Sequence, residues 1–184
     1  MVQDHDQDLR SVLKRETREE HQRLDDTVGS LALGNAADYA RFLAIQYEAR
    51  RPIEQWFAAR IEDADIPPPQ CDLLAADLHE LGHAFPEPSD DFTCDAAAYP
   101  GIAWVLAGSS MGNRLIRKQR SRSGLDGPDR FLSSPQMPLY FQHLLSKLKE
   151  YDAPEVGRAA VAGAKIVFAR FQAVADSHLA GHEL

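Results

Sequence analysis

Apolar side chains recur along most of this chain at intervals of three and four residues, the period of helices with one face in a core. Strand-type alternation is missing. Leu9, Val12, Leu13, Leu24 and Val28 predict a first helix over about residues 8–29. Asn35 is placed to cap a long second helix, which carries Tyr39, Phe42, Leu43, Ile45, Tyr47, Ile53, Trp56, Phe57 and Ile61. Pro52 lies inside that pattern, where proline kinks a helix. The run Ile66-Pro-Pro-Pro breaks the chain before a third helix, about residues 70–84, which Phe85-Pro-Glu-Pro ends. A fourth helix covers about residues 96–120 and a fifth about 138–151. Asp152-Ala-Pro-Glu is a start signal for the last, to about residue 179. The polar stretch 121–128 is the expected mobile segment. Six helices without strands or repeats predict an all-α bundle, one multi-helical domain over residues 1–184 with 1–7 as a disordered tail.

Composition narrows the function without choosing it. The chain carries 28 acidic against 20 basic residues, a net charge of −8, which argues against general nucleic-acid binding. No apolar run approaches a bilayer span, and the acidic opening Met-Val-Gln-Asp-His-Asp is unlike a secretory signal. A cytoplasmic protein, off the membrane, is the expectation. Cys71 and Cys94 match no metal or redox spacing.

Two stretches hold candidate chemistry. In the fourth helix Gly108 and Gly112 lie one turn apart on one face, although each glycine in a helix interior costs about 1 kcal/mol relative to alanine. Either another helix packs closely there, or something flat and bulky touches bare backbone. Ser109 adds a short hydroxyl beside them. In the first helix Lys14, Arg18, His21 and Asp25 cluster on one side, His21 nearest the apolar stripe. His21 is either an exposed histidine among ion pairs or a metal ligand whose second nitrogen Asp25 orients. Arg114, Arg117, Lys118, Arg120 and Arg122 form a basic cluster, either complementing the helix dipole or forming a docking face. His79-Glu-Leu-Gly-His83 spells a zinc-hydrolase motif, but its helix ends almost at once and no third ligand follows. His178 and His182 share the same spacing near the end of the chain and read as incidental.

Leu13-Lys-Arg-Glu-Thr-Arg-Glu-Glu-His21 resembles the N-terminal motif of heme oxygenases, and Val105-Leu-Ala-Gly-Ser-Ser-Met-Gly112 resembles their distal-helix motif. Asp77-Leu78 with Leu81-Gly82 resembles a third signature. Ala162-Gly-Ala-Lys-Ile-Val-Phe168 followed by Phe171 resembles the family's closing helix. Order and spacing agree over nearly the whole chain, and the bacterial, bacteriophytochrome-associated branch is the nearer pattern.

The resemblance implies heme b as both cofactor and substrate, cleaved with O₂ and external electrons to biliverdin, carbon monoxide and Fe²⁺. It implies His21 as the proximal iron ligand supported by Asp25, with Lys14 and Arg18 on the propionates. Gly108, Ser109 and Gly112 would cover the distal face and steer the oxygen onto the ring, with Met111, Asn113 and Arg117 as further heme contacts. The implied partners are an electron donor such as a ferredoxin or flavin reductase, and a bacteriophytochrome receiving biliverdin. The chain departs from the pattern at Ser109, where an aspartate is common. It departs again at Ala107 for glutamate, Asn113 for a second glycine and Trp104 for tyrosine. His143 and Lys147 stand where the family has basic propionate ligands, without a secure alignment. The alternative these departures motivate is a non-catalytic heme-binding or heme-sensing protein of the same fold.

Overall fold

The computed structural model describes residues 8–60, 66–87, 91–151 and 154–180. The expected tail 1–7, Ile61, the start signal at Asp152 and His182 lie outside them. Asp8 opens α1 (Leu9–Glu16) by accepting the Ser11 N–H at 2.7 Å. That bond holds the Asp8 carboxyl below its ordinary pKa. The helix expected over 8–29 is in fact two. Thr17, fully buried, leaves helical geometry (φ −115°, ψ 11°) and donates its hydroxyl to the Leu13 carbonyl at 2.8 Å. A threonine bonded back to its own preceding turn offers the backbone an alternative to the helix ladder. The chain restarts as α2 (Arg18–Gly29).

Asn35 caps α3 (Ala36–Arg60) as expected, its Oδ1 accepting the Asp38 N–H at 2.7 Å, and the helix runs on through the buried Pro52. Glu54, on α3, caps α4 (Cys71–Glu80) from outside by accepting the N–H groups of Gln70 (2.8 Å) and Cys71 (3.2 Å). Gly82, at φ +72°, closes α4. The Gly82 N–H donates to His79 O and the His83 N–H to Leu78 O, the paired bonds that end a helix through a left-handed glycine. This is the physical content of the Leu81-Gly82 signature.

A single 3-10 turn, Ala96–Ala98, leads into α5 (Tyr99–Arg122). The short α6 (Arg130–Ser133) was not expected. Then come α7 (Gln136–Leu148) and α8 (Pro154–Ala180). Of the described residues 77% are helical and none lies in a strand, so the all-α reading holds.

Helix α8 is the element the others share. It packs on α1, α2, α3 and α5. Its closest approach is to α5. A Cβ on Gly101 would overlap the Ala160 carbonyl, and one on Gly163 would stand 2.7 Å from the Ala98 Cβ. Around this seam lie Tyr39, Leu43, Ile53, Trp56, Leu74, Leu78, Ile102, Leu106 and Val167, all buried. Asp77, with no exposed surface, binds the start of α6, accepting from the Arg130 N–H (3.2 Å), Arg130 Nη1 (3.0 Å) and the Phe131 N–H (3.0 Å). The stretch expected to be mobile is tethered at both ends. Buried Arg120 donates to Leu33 O at 2.9 Å and lies 3.5 Å over the Tyr39 ring, and the Tyr39 hydroxyl donates to Pro128 O at 2.9 Å.

Two substitutions test this account. Gly101→Ala should lower the unfolding free energy by about 3 kcal/mol or more, because backbone cannot yield to an added methyl. Asp77→Ala should lower it by about 1–3 kcal/mol, since it leaves the buried Phe131 N–H without its acceptor. Urea unfolding followed by circular dichroism reads both.

Candidate functional site

Among the described residues α2 alone of the eight helices has no fully buried side chain. It rests on α8 through half-buried Leu24 and Val28, with Gln172 Nε2 donating to Thr27 at 2.8 Å and Lys165 paired to Glu20 at 3.3 Å. His21 stands on this helix with its ring edge-on to Phe168, centroids 5.8 Å apart. Its Nδ1 lies 3.2 Å from the Asp25 carboxylate, and the side chain is 59% exposed. With Nδ1 facing a carboxylate, the proton belongs on that nitrogen and Nε2 presents a lone pair. The pairing expected between His21 and Asp25 is therefore present, on a side chain that no core residue covers. Lys14 and Arg18 border one open groove of about 680 Å³ with Lys165.

Helix α5 carries the second half. A Cβ on Gly108 would meet only the Phe141 ring at an ordinary 3.8 Å, and one on Gly112 would meet nothing within 4 Å. Met111 and Leu115 beside them are 68% and 69% exposed. The choice between packing and bare backbone is thereby decided residue by residue. Gly101 and Gly163 are required by the α5–α8 seam. Gly108 and Gly112 are required by no neighbour in the protein: Gly112 borders open space, and Gly108 has only the Phe141 ring at ordinary contact distance.

Ser109 has a partner the sequence reading missed. Arg50 of α3, 1% exposed, donates from Nη2 to Ser109 Oγ at 2.5 Å and from Nε to Gln46 Oε1 at 3.1 Å. Its guanidinium lies 5.4 Å from the Phe131 ring centroid and 5.7 Å from that of Phe171. Burial pushes its pKa down, with the Glu54 charge opposing. The signal was there in the spacing: Leu43, Gln46, Arg50, Ile53 and Phe57 are successive positions of one buried stripe. An arginine inside such a stripe is a buried cation.

Helix α8 joins the two halves. Phe168 touches His21, and Phe171, on the next turn, touches Arg50, which holds Ser109. Helices α2 and α5 each pack on α8 and make no extended contact with one another among the described residues.

Other expected site residues lie apart. Arg117 stands nine residues from Gly108, about 180° round the helix, and pairs with Asp129 at 2.7 Å. Buried Asn113 borders, with Ser110 and Arg114, a separate cavity of about 580 Å³ enclosed by the 125–138 segment. Neither is brought to the Gly108–Gly112 face. The basic cluster also divides: Arg120 is buried and Arg117 is paired, leaving Arg114, Lys118 and Arg122 exposed. His79 and His83 do not share a helix, since α4 ends at Glu80, whose carboxylate pairs with Arg130 at 2.7 Å. His178 ties α8 to α3 through Glu48 at 2.7 Å. Cys71 and Cys94 are free thiols whose pKa burial raises, which lowers the thiolate fraction that metal binding and nucleophilic attack need.

The bundle has the all-α heme oxygenase fold. One solved structure it resembles is the heme oxygenase of Neisseria meningitidis in its NO- and CO-bound forms. The TM-score is 0.79 over 94% of this chain and 92% of that one, with 20% sequence identity. No protein-family model matches the chain, and no curated protein matches its sequence.

The two glycine pairs give a paired expectation for the ligand-free protein. Gly163→Ala should destabilise by about 1–3 kcal/mol through overpacking. Gly112→Ala should be neutral, or stabilising by up to about 1 kcal/mol, because a helix-forming residue enters open space. Denaturation midpoints of the two variants compare them directly.

Proposed function

We propose that the protein is a heme oxygenase holding a porphyrin between α2 and the bare strip of α5, over the α8 floor. The observation that carries this reading is the pair Gly108 and Gly112, which weaken a helix interior and pack against almost nothing of the protein. A flat ligand needs that absence of side chains. The donor set suits heme iron: an imidazole with Nδ1 engaged by a carboxylate and Nε2 unpartnered among the described residues. Bound heme supplies both the O₂-activating centre and the ring that is opened to biliverdin, carbon monoxide and Fe²⁺, with electrons from outside.

The chain's own residues then divide the work. Asp25 holds the His21 tautomer and ring plane. Lys14 and Arg18 are cations at the rim for the propionates. Gly108 and Gly112 let main chain approach the distal face, and Arg50 fixes the orientation of the Ser109 hydroxyl. Arg114, Lys118 and Arg122 recur every four residues along α5 and form the face for an acidic electron donor such as a ferredoxin or flavin reductase. Delivery of biliverdin to a bacteriophytochrome belongs to the same proposal, through the resemblance of the motifs. No helix among the described residues is long and apolar enough to cross a membrane.

A second reading, heme binding without turnover, is favoured by one observation. Ser109 donates its only proton to Leu106 O at 2.7 Å, so it has none to offer a distal ligand.

One optical experiment separates the two. The protein reconstituted with hemin, given ascorbate and O₂, should lose its porphyrin band and yield biliverdin and carbon monoxide. His21→Ala should reduce that rate by at least about 100-fold, as expected for loss of an iron ligand. A stable oxy complex in the wild type would select the non-catalytic reading. Full turnover by His21→Ala would defeat both.

A further inference from the structure

Arg50 is a buried cation with no ion-pair contact among the described residues, although the Glu54 charge favours its charged form. Its Nη1 has no hydrogen-bond partner. Glu54, one turn along α3, has both carboxylate oxygens committed to the N–H groups of Gln70 and Cys71. Two of the groups closest to the guanidinium, Phe131 and Phe171, are aromatic and add no formal charge. Among the described residues no ion pair neutralises it. At the one place where it reaches a functional candidate, Nη2 meets Ser109 Oγ at 2.5 Å and the Leu106 carbonyl at 3.4 Å.

That contact fixes the serine's role. A guanidinium only donates, so Ser109 Oγ accepts from Arg50 and sends its proton to Leu106 O. The hydroxyl is therefore left with acceptor capacity alone, beside the Gly108–Gly112 strip. What Arg50 adds behind that strip is a buried positive charge, in a protein whose net charge is −8.

We infer that Arg50 tunes the distal face of α5 toward anions: it raises the affinity of the ferric site for a small anionic ligand such as azide, cyanide or fluoride, and leaves the affinity of the ferrous site for neutral carbon monoxide nearly unchanged. Arg50 is a positioning and specificity-determining residue, acting through Ser109 and through its field. The inference rests on the heme-binding reading above, because heme iron is the centre that would hold both kinds of ligand. The magnitude follows from Coulomb's law. At an effective dielectric of 20, a unit charge within about 12 Å changes the binding of an anion by about tenfold, while a neutral ligand is nearly indifferent.

The test uses the full chain reconstituted with hemin. Optical titration gives the azide affinity of the ferric form and the carbon monoxide affinity of the ferrous form. Arg50→Gln should weaken azide binding about tenfold or more and leave carbon monoxide within about twofold. Arg50→Lys, which keeps the charge, should retain azide affinity within about threefold. Gln46→Glu keeps Arg50 in place and sets a carboxylate against its Nε. It should weaken azide as Arg50→Gln does, and it carries the comparison should Arg50→Gln fail to fold. Unchanged azide affinity in the charge-neutralising variants, or azide and carbon monoxide falling together, would overturn the inference. Failure of the wild type to form a His21-dependent hemin complex would instead overturn the heme reading, which separates the two failures.

Discussion

The seam between α5 and α8 is the constraint on which the rest of this structure depends. Gly101 and Gly163 let the two backbones meet without side chains between them, so closely that a methyl on either would collide with main chain. Contact at that distance sets where α5 lies relative to α8, and its consequences run along both helices. Seven and eleven residues further along α5, Gly108 and Gly112 are no longer against α8. Five and eight residues along α8 from Gly163, Phe168 and Phe171 make their contacts with His21 and Arg50. One tight crossing thus sets the spacing of a site whose two halves belong to helices that do not support each other.

The support for the distal half reaches further than the motif residues. Asp77 on α4 binds the start of α6; α6 presents Phe131 to Arg50; Arg50 holds Ser109 on α5. Each link is a buried polar group satisfied by backbone, or a cation set against an aromatic face, and such links specify one arrangement. The signature around Asp77, Leu78, Leu81 and Gly82 becomes intelligible in these terms. Its acid holds α6, Leu78 fills the core, and Gly82 ends the helix.

How much of this was legible in the sequence follows from which forces leave a periodic trace. The long helices did, since a buried stripe repeats every three or four residues, and α3, α5, α7 and α8 fall close to their expected spans. Thr17 left none: one side-chain hydrogen bond splits the first helix without disturbing the apolar pattern on either side of it. Helix α6 has four residues, too few for a period. His21 with Asp25, and Gly108 with Gly112, were legible because their spacing is itself the chemistry. The reading of Met111, Asn113 and Arg117 as further heme contacts came from the motif alone. Adjacency in a motif says nothing of helix azimuth, and 100° per residue carries Asn113 and Arg117 round to another cavity. Arg50 was hidden by its type. Charge on a helix reads as solvent-facing by default, and only its place in the Leu43–Gln46–Ile53–Phe57 stripe marks it as interior.

The two halves also differ in how firmly the protein holds them. Helix α5 is locked by the glycine seam and by Arg50, Arg120 and the Asp77 linkage. Helix α2 lies on α8 by two half-buried aliphatic side chains, one amide–hydroxyl bond and a partly exposed ion pair, the last worth little in water. Elements with so little buried apolar area sit at the low end of local stability. In the heme-binding reading proposed above, a planar apolar ligand on the inner face of α2 would supply burial that no side chain of the chain supplies, and binding of that kind stabilises the folded form by mass action. The asymmetry then fits that reading: one rigid wall carrying the charge and the bare backbone, and one lightly held wall carrying the imidazole, which the ligand itself would complete.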